Sequence, residues 1–259
     1  MSATLFAGDY RPTRRDYSLL GHDAQLAVQT GLSAAEWYHT DIPRKQMKEL
    51  MKREDGPAIR DTAIWIAAFV ISAAGGIWFW GTWTCVPFFF VYGVLYGSST
   101  DSRWHECGHG TAFKTQWMND AVYQVACFMI MRNPVTWRWS HTRHHTDTII
   151  VGRDPEIAVM RPPDLFRLVL NFFGILDAWQ AMTDMVRNAF FGLSETEKTF
   201  VPEMERARVI RIARIWLAIC AATIALALYL GSWLPLMLVL RGGGSGRARP
   251  ASTAPGTMS

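Results

Sequence analysis

The chain has 259 residues with 50% hydrophobic side chains, a net charge of +4 and a mean hydropathy of only +0.06. The apolar residues fall in blocks and the charges in others, which is the profile of a membrane protein with a substantial water-facing part and not of a uniformly mixed soluble domain. Lys and Arg form no dense stripe, so nucleic-acid binding is excluded as the reason for the basic balance, and basic segments beside a membrane account for it more simply.

Residues 1–60 are charged and carry no apolar signal segment. The end of this part, with Arg44, Lys45, Lys48, Lys52 and Arg53 around Leu50 and Met51, reads either as a basic amphipathic helix on anionic headgroups or as a solvated helix. Residues 63–80 contain no charge and approach the ~20 residues that a spanning helix needs. A second apolar run covers about 84–98, so the two read as a tight hairpin. Trp78, Trp80 and Trp83 cluster at its turn, as an interfacial aromatic belt does. Residues 121–131 and 164–191 read as amphipathic stretches packed on the membrane surface.

A third span is expected at 213–230. A fourth starts at 234–240 and stops after seven apolar residues, giving way to RGGGSGRARPASTAPGTMS. That tail, 241–259, has the composition of disorder, or of a GC-rich gene read out of frame, so the C-terminal part reads as truncated. Basic residues fill the N-terminal segment and the region 103–214 but not the first turn, which places both on the cytoplasmic side. The expected fold class is therefore all-α: an integral membrane domain over 61–240 with a cytoplasmic, histidine-rich helical region.

The four cysteines, at 85, 107, 127 and 220, include no CxxC pair, so neither a disulfide framework nor a thiolate zinc site is implied. The histidines are more informative. Of seven, five form two groups: His105 and His109 in HECGHG, and His141, His144 and His145 in HTRHH. Asn133 followed by Pro134 is a helix start, with an N-cap residue and then proline at the first helical position. A helix from there puts 141, 144 and 145 on one face by i,i+3 and i,i+4 spacing. The first pair is also i,i+4, just beyond the second apolar run.

Taken alone, HECGH is the HExxH of a zinc metalloprotease with Glu106 as base. It also contains the ExxH of a ferritin-like di-iron site. Either reading uses one histidine group and leaves the other without a role. A non-enzymatic, metal-free membrane protein is a further reading. Trp137 and Trp139, ahead of the second group, can line a substrate channel, although packing at the membrane interface suits them better.

The wording HECGHGTAFKTQWMND and RNPVTWRWSHTRHHTDTIIVGRDPEI resembles the membrane fatty-acid desaturase and hydroxylase family, over about residues 60–240, and within it the hydrocarbon oxygenases associated with rhizopine catabolism. The resemblance implies an O2-dependent oxidoreductase acting on unactivated C–H bonds, with two non-haem irons held by His105, His109, His141, His144 and His145. It implies a membrane-lipid setting, for a bacterial chain the inner membrane, and a separate electron donor such as a ferredoxin with its reductase. The family pattern has a third histidine group, and this chain has no histidine after His145. Glu106, Asp147 and Asp154 are the carboxylates placed to orient the ligand rings.

Overall fold

The computed structural model describes residues 15–34, 36, 40–98, 102–157, 161–172 and 175–240. Every regular element among them is a helix: α1 His22–Gln29, α2 Arg44–Leu50, α3 Asp55–Trp78, α4 Cys85–Ser98, α5 Ser102–His109, α6 Gln116–Met129, α7 Pro134–Thr146, α8 Leu165–Phe172, α9 Ile175–Phe190, α10 Glu195–Lys198, α11 Glu203–Leu230 and α12 Leu234–Val239. A short 3-10 turn, Leu32–Ala34, follows α1. The tail at 241–259, read above as disordered or out of frame, lies outside the described residues.

Two helices, α3 and α11, are long and apolar enough to cross a membrane. Each starts where sequence chemistry favours it, with acidic residues in the first turn: Asp55 in α3, and Glu203 and Glu205 in α11. α11 ends on Gly231 in the left-handed conformation, the usual glycine helix stop. α4, the second limb of the expected hairpin, has 14 residues, so it rises about 21 Å against a hydrocarbon core of about 30 Å.

α3 and α4 nonetheless pack side by side. Gly75 and Gly76 make room for two aromatic rings: a Cβ on them would stand 2.3 Å from Phe88 and 2.8 Å from Phe89. Small residues let the helices approach where lipid supplies no hydrophobic drive between them. The outer faces stay apolar, with Ile64, Val70, Ile71 and Leu228 exposed, and Trp78 and Trp83 stand almost fully exposed at the hairpin turn. Tyr92 and Tyr96 of α4 donate their hydroxyls to the carbonyls of Leu238 and Val239, at 2.5 and 2.9 Å, satisfying the last turn of α12.

The main core joins α5, α6, α7, α9 and α11 around Trp104, Cys107, Tyr123, Cys127, Trp137, Ala213 and Trp216. α6 therefore contributes an inner face to this core, while Trp117 and Val125 remain exposed. α8 and α9 carry Leu165, Phe166, Val169, Trp179 and Phe190 on open surface, an apolar face of the kind an interfacial helix turns to lipid. Trp139 packs with Val135, Leu193 and Val201 in a smaller cluster.

Candidate metal centre

α7 begins as its sequence dictates. The Asn133 side chain accepts from the amides of Val135 and Thr136, and Pro134 occupies the first turn. The Asn133 amide group also donates to the carbonyl of Val209 at 3.1 Å, which ties the start of α7 to α11. α5 ends at Gly110, whose φ of +70° turns the chain out of the helix. The loop that follows is held at both ends. Asn119 is fully buried and exchanges two hydrogen bonds with the backbone of Phe113, while the Asp55 carboxylate accepts from the amide and hydroxyl of Thr115 at 2.9 and 2.6 Å. The Arg53 guanidinium donates to the carbonyl of Gly110.

α5 and α7 meet at Gly108. A Cβ there would stand 2.3 Å from the Trp137 ring and 3.1 Å from Tyr123. Trp137 is buried against Trp104, with ring centroids 3.8 Å apart, and stacks on His141 at 4.4 Å with 19° between planes. It forms the floor beneath a ligand ring, a different place from the channel wall or interface anchor expected of it. Gly108→Ala should thus push the floor and destabilise the protein by roughly 1–3 kcal/mol through overpacking, read as a lowered midpoint of thermal unfolding.

The two histidine groups come together above this floor. One ring nitrogen from each of His105, His109, His141 and His145 lies within 4.8 Å of all the others. His141 Nε2 is the hub, 2.8 Å from His105 Nε2, 3.1 Å from His109 Nε2 and 3.1 Å from His145 Nε2. His109 and His145 are 3.2 Å apart. His141 is buried, whereas His109 and His145 are exposed, so the cluster is closed below and open on one side.

The tautomer of His141 follows from its other nitrogen. Its Nδ1–H donates to Glu156 Oε2 at 2.8 Å, and Glu156 also accepts from the Ser140 hydroxyl at 2.9 Å. Nε2 then carries a lone pair and faces three other imidazole nitrogens. No arrangement of N–H groups satisfies all three contacts at one atom, whereas a cation between the rings does. Nitrogens bound to one ion at about 2.0–2.1 Å lie about 3.0–3.4 Å from their neighbours, which the three contacts among His109, His141 and His145 match at 3.1, 3.1 and 3.2 Å. Desolvation of the ring faces turned into the cluster, with the rings of His141, His105 and His145, pushes the His109 pKa down to about 4, and partial desolvation with the rings of His141 and His144 lowers that of His145. Both are therefore neutral at pH 7, the form that ligates. An all-imidazole set suits iron, zinc, copper or nickel.

His144 lies beside this group and not in it. Its Nδ1 bonds both oxygens of Asp154, at 2.8 and 2.9 Å, and its ring stacks near His141 with centroids 5.6 Å apart. Asp154 thus stands hydrogen-bonded behind the His144 ring. Asp147 turns instead to Arg143 and Arg153, at 3.5 and 3.0 Å. Glu106 is exposed, and its side chain makes no hydrogen bond or ion pair among the described residues. Cys107 points into the core, where desolvation raises its thiol pKa to about 11, so it remains a protonated thiol. Glu156 is the orienting residue that sequence reasoning missed. Its only signal was a second carboxylate two positions after Asp154, in a turn close behind the histidines.

The arrangement uses both histidine groups, which a zinc site built on HECGH alone would not. The fatty acid desaturase family model matches residues 81–244. Among curated proteins, the omega-6 fatty acid desaturase, endoplasmic reticulum isozyme 1, of Glycine max is 36% identical over 75 residues, 28% of this chain and 19% of that protein. The Delta(12)-acyl-lipid-desaturase of Punica granatum has the same identity and coverage. The sn-1 oleoyl-lipid 12-desaturase of Synechocystis sp. is 26% identical over 108 residues, 42% of this chain and 30% of that protein. The matched part of the chain thus spans less than a third of each relative's length. No solved structure matches.

Proposed function

Because the chain belongs to the fatty acid desaturase family, we propose that it is an iron-dependent oxidoreductase that oxidises an unactivated C–H bond of a lipid or hydrocarbon with O2 at the membrane surface. The observation that carries this reading is the convergence of four imidazole nitrogens, two from each histidine group, within 4.8 Å. Held by His105, His109, His141 and His145, iron would supply the activation of O2, with two reducing equivalents from a separate carrier such as a ferredoxin with its reductase.

The chain's own residues perform the rest. His105, His109, His141 and His145 hold the ion, and Glu156 keeps the His141 Nδ1 protonated so that Nε2 is free to bind. Trp137 and Trp104 seal the floor against water, so substrate approaches over His109 and His145. Asp154 presents His144 in the same way, as the one oriented imidazole left for a second iron. A two-iron centre then needs donors beyond those that the described residues bring together. The basic N-terminal segment and the histidine helices face the cytoplasm in this proposal, and α8 and α9 rest on the lipid surface.

The finer reading we propose, from the wording of the two histidine stretches, is a hydrocarbon oxygenase. Methylated inosamines of rhizopine catabolism are its substrate class to test beside acyl lipids. Hydroxylation of a methoxy carbon, with O2 and two reducing equivalents giving the hydroxyl and one water, would leave a hemiacetal whose C–O bond breaks to the demethylated alcohol and formaldehyde. Protein purified in detergent is expected to contain iron, to lose it in the His109→Ala variant, and to consume O2 with a ferredoxin system only when substrate is present. One zinc per chain, with peptide hydrolysis abolished by Glu106→Gln, would replace this reading with the protease one.

A further inference from the structure

The carboxylates that orient His141 and His144 belong to the turn 149–156, which the metal-binding helices support only in part. At its tip Gly152 has φ +76°, and a Cβ there would stand 2.5 Å from the amide nitrogen of Ala24 and 2.9 Å from its Cα. The turn therefore lies backbone to backbone against the first turn of α1. Further along the chain, the amide of Arg161 donates to the Tyr17 hydroxyl at 2.9 Å. The segment thus meets the chain behind the histidines twice, at the tip of the turn through Ala24 and at Arg161, beyond the turn, through Tyr17.

The gripping segment is built to hold its shape. The Asp16 carboxylate accepts from the amides of Ser18 and His22, both at 3.0 Å, and the amide of Asp16 donates to Asp23 at 2.9 Å. Gly21 admits that carboxylate, because a Cβ there would stand 1.8 Å from Asp16 Oδ2. Tyr17, Leu19, Ala24 and Ala27 are buried. None of these residues enters the histidine cluster, and none was singled out in the sequence.

We propose that residues 16–29 are a clamp that fixes the turn carrying Asp154 and Glu156 and, through those carboxylates, the retention of metal at the histidine cluster. Within the turn, Asp154 accepts from the amides of Ile149 and Glu156, at 2.9 and 2.8 Å. The two carboxylates consequently move as one body, and a turn released by the clamp loosens both imidazoles together. Tyr17, Ala24, Ala27 and Gly152 are positioning residues in this scheme, which rests on the cluster being the metal site.

The test uses the full chain in detergent, with hydrogen exchange and Co(II) titration as independent readouts. Ala27→Asp detaches α1 without touching the turn, Tyr17→Phe removes only the hydroxyl that receives Arg161, and Gly152→Ala drives the two backbones apart. Ala27→Asp and Gly152→Ala are expected to raise exchange in both 17–29 and 149–157 while α7 stays protected, and to weaken Co(II) binding about tenfold. Tyr17→Phe should raise exchange at Arg161 and in the turn to a smaller extent. The clamp is overturned if Ala27→Asp frees 17–29 but leaves exchange at 149–157 and Co(II) affinity unchanged. It is overturned equally if only Gly152→Ala acts, because strain at positive φ then accounts for the effect. Should the unmutated protein take up no Co(II), the metal reading itself fails, and exchange at 149–157 in Ala27→Asp alone decides the clamp.

Discussion

His141→Ala is expected to abolish metal binding and to cost more stability than loss of any other ring in the cluster. Its Nε2 is the atom that the nitrogens of His105, His109 and His145 all approach, at 2.8–3.1 Å. Without it the remaining rings surround an empty corner, and affinity should fall well beyond the 10–100-fold typical of losing an orienting partner. Two further losses follow on the buried side. Glu156, its side chain buried beside it, loses the donor at 2.8 Å that His141 Nδ1–H supplies, and a buried acceptor that loses a donor costs about 1–3 kcal/mol, more when charged. Trp137 also loses the ring stacked on it. His145→Ala makes the contrast, because its ring is exposed and bonds no carboxylate. It should weaken the metal site while leaving the unfolding midpoint nearly unchanged. Metal titration and thermal unfolding, run on both variants, separate the two contributions, and equal midpoint losses would contradict the assignment of His141 as the hub.

What could be read in advance follows from which interactions are local. The start of α7 at Asn133-Pro134 and the pairing of His105 with His109 and of His141 with His145 need only one helix each, and spacing settles them. The nearness of the two pairs needs Gly108, whose role is invisible until Trp137 lies over it from another helix. The same limit applies to carboxylates. Asp147, Asp154 and Glu156 all follow the second histidine group, and spacing cannot choose among them. Arg143 and Arg153 take Asp147, which leaves Asp154 and Glu156 for the imidazoles. In the membrane part, composition located the apolar runs but could not show α4 stopping at 14 residues or resting on the paired glycines of α3. The contact between Gly152 and α1 joins positions more than a hundred residues apart, so no local pattern announces it.

Glu156→Gln is the substitution that tests how far the site depends on charge behind a ligand and not on shape alone. The amide keeps the volume, and one orientation keeps both contacts: its oxygen accepts from His141 Nδ1–H while its NH2 faces the Ser140 hydroxyl. The tautomer then survives, but the negative charge that raises the basicity of Nε2 is gone. Metal affinity should drop about 10–100-fold, which is about 1.4–2.8 kcal/mol. The opposite orientation would make His141 an acceptor at Nδ1 and point a proton from Nε2 into the cluster, so the loss would be greater still. Ser140 favours the first, because its one hydroxyl hydrogen can turn from residue 156 to the Trp137 carbonyl, 3.0 Å away, and leave lone pairs for an incoming N–H. Asp154→Asn acts directly on His144 and reaches the Glu156 carboxylate only through the turn amides of Ile149 and Glu156, so it should lower affinity for the first ion clearly less than Glu156→Gln does. Stepwise titration of both variants with Co(II) reads the difference directly. If Asp154→Asn weakened the first ion as much as Glu156→Gln, His144 would have to be counted among its ligands, and the four-nitrogen nest would no longer describe the site.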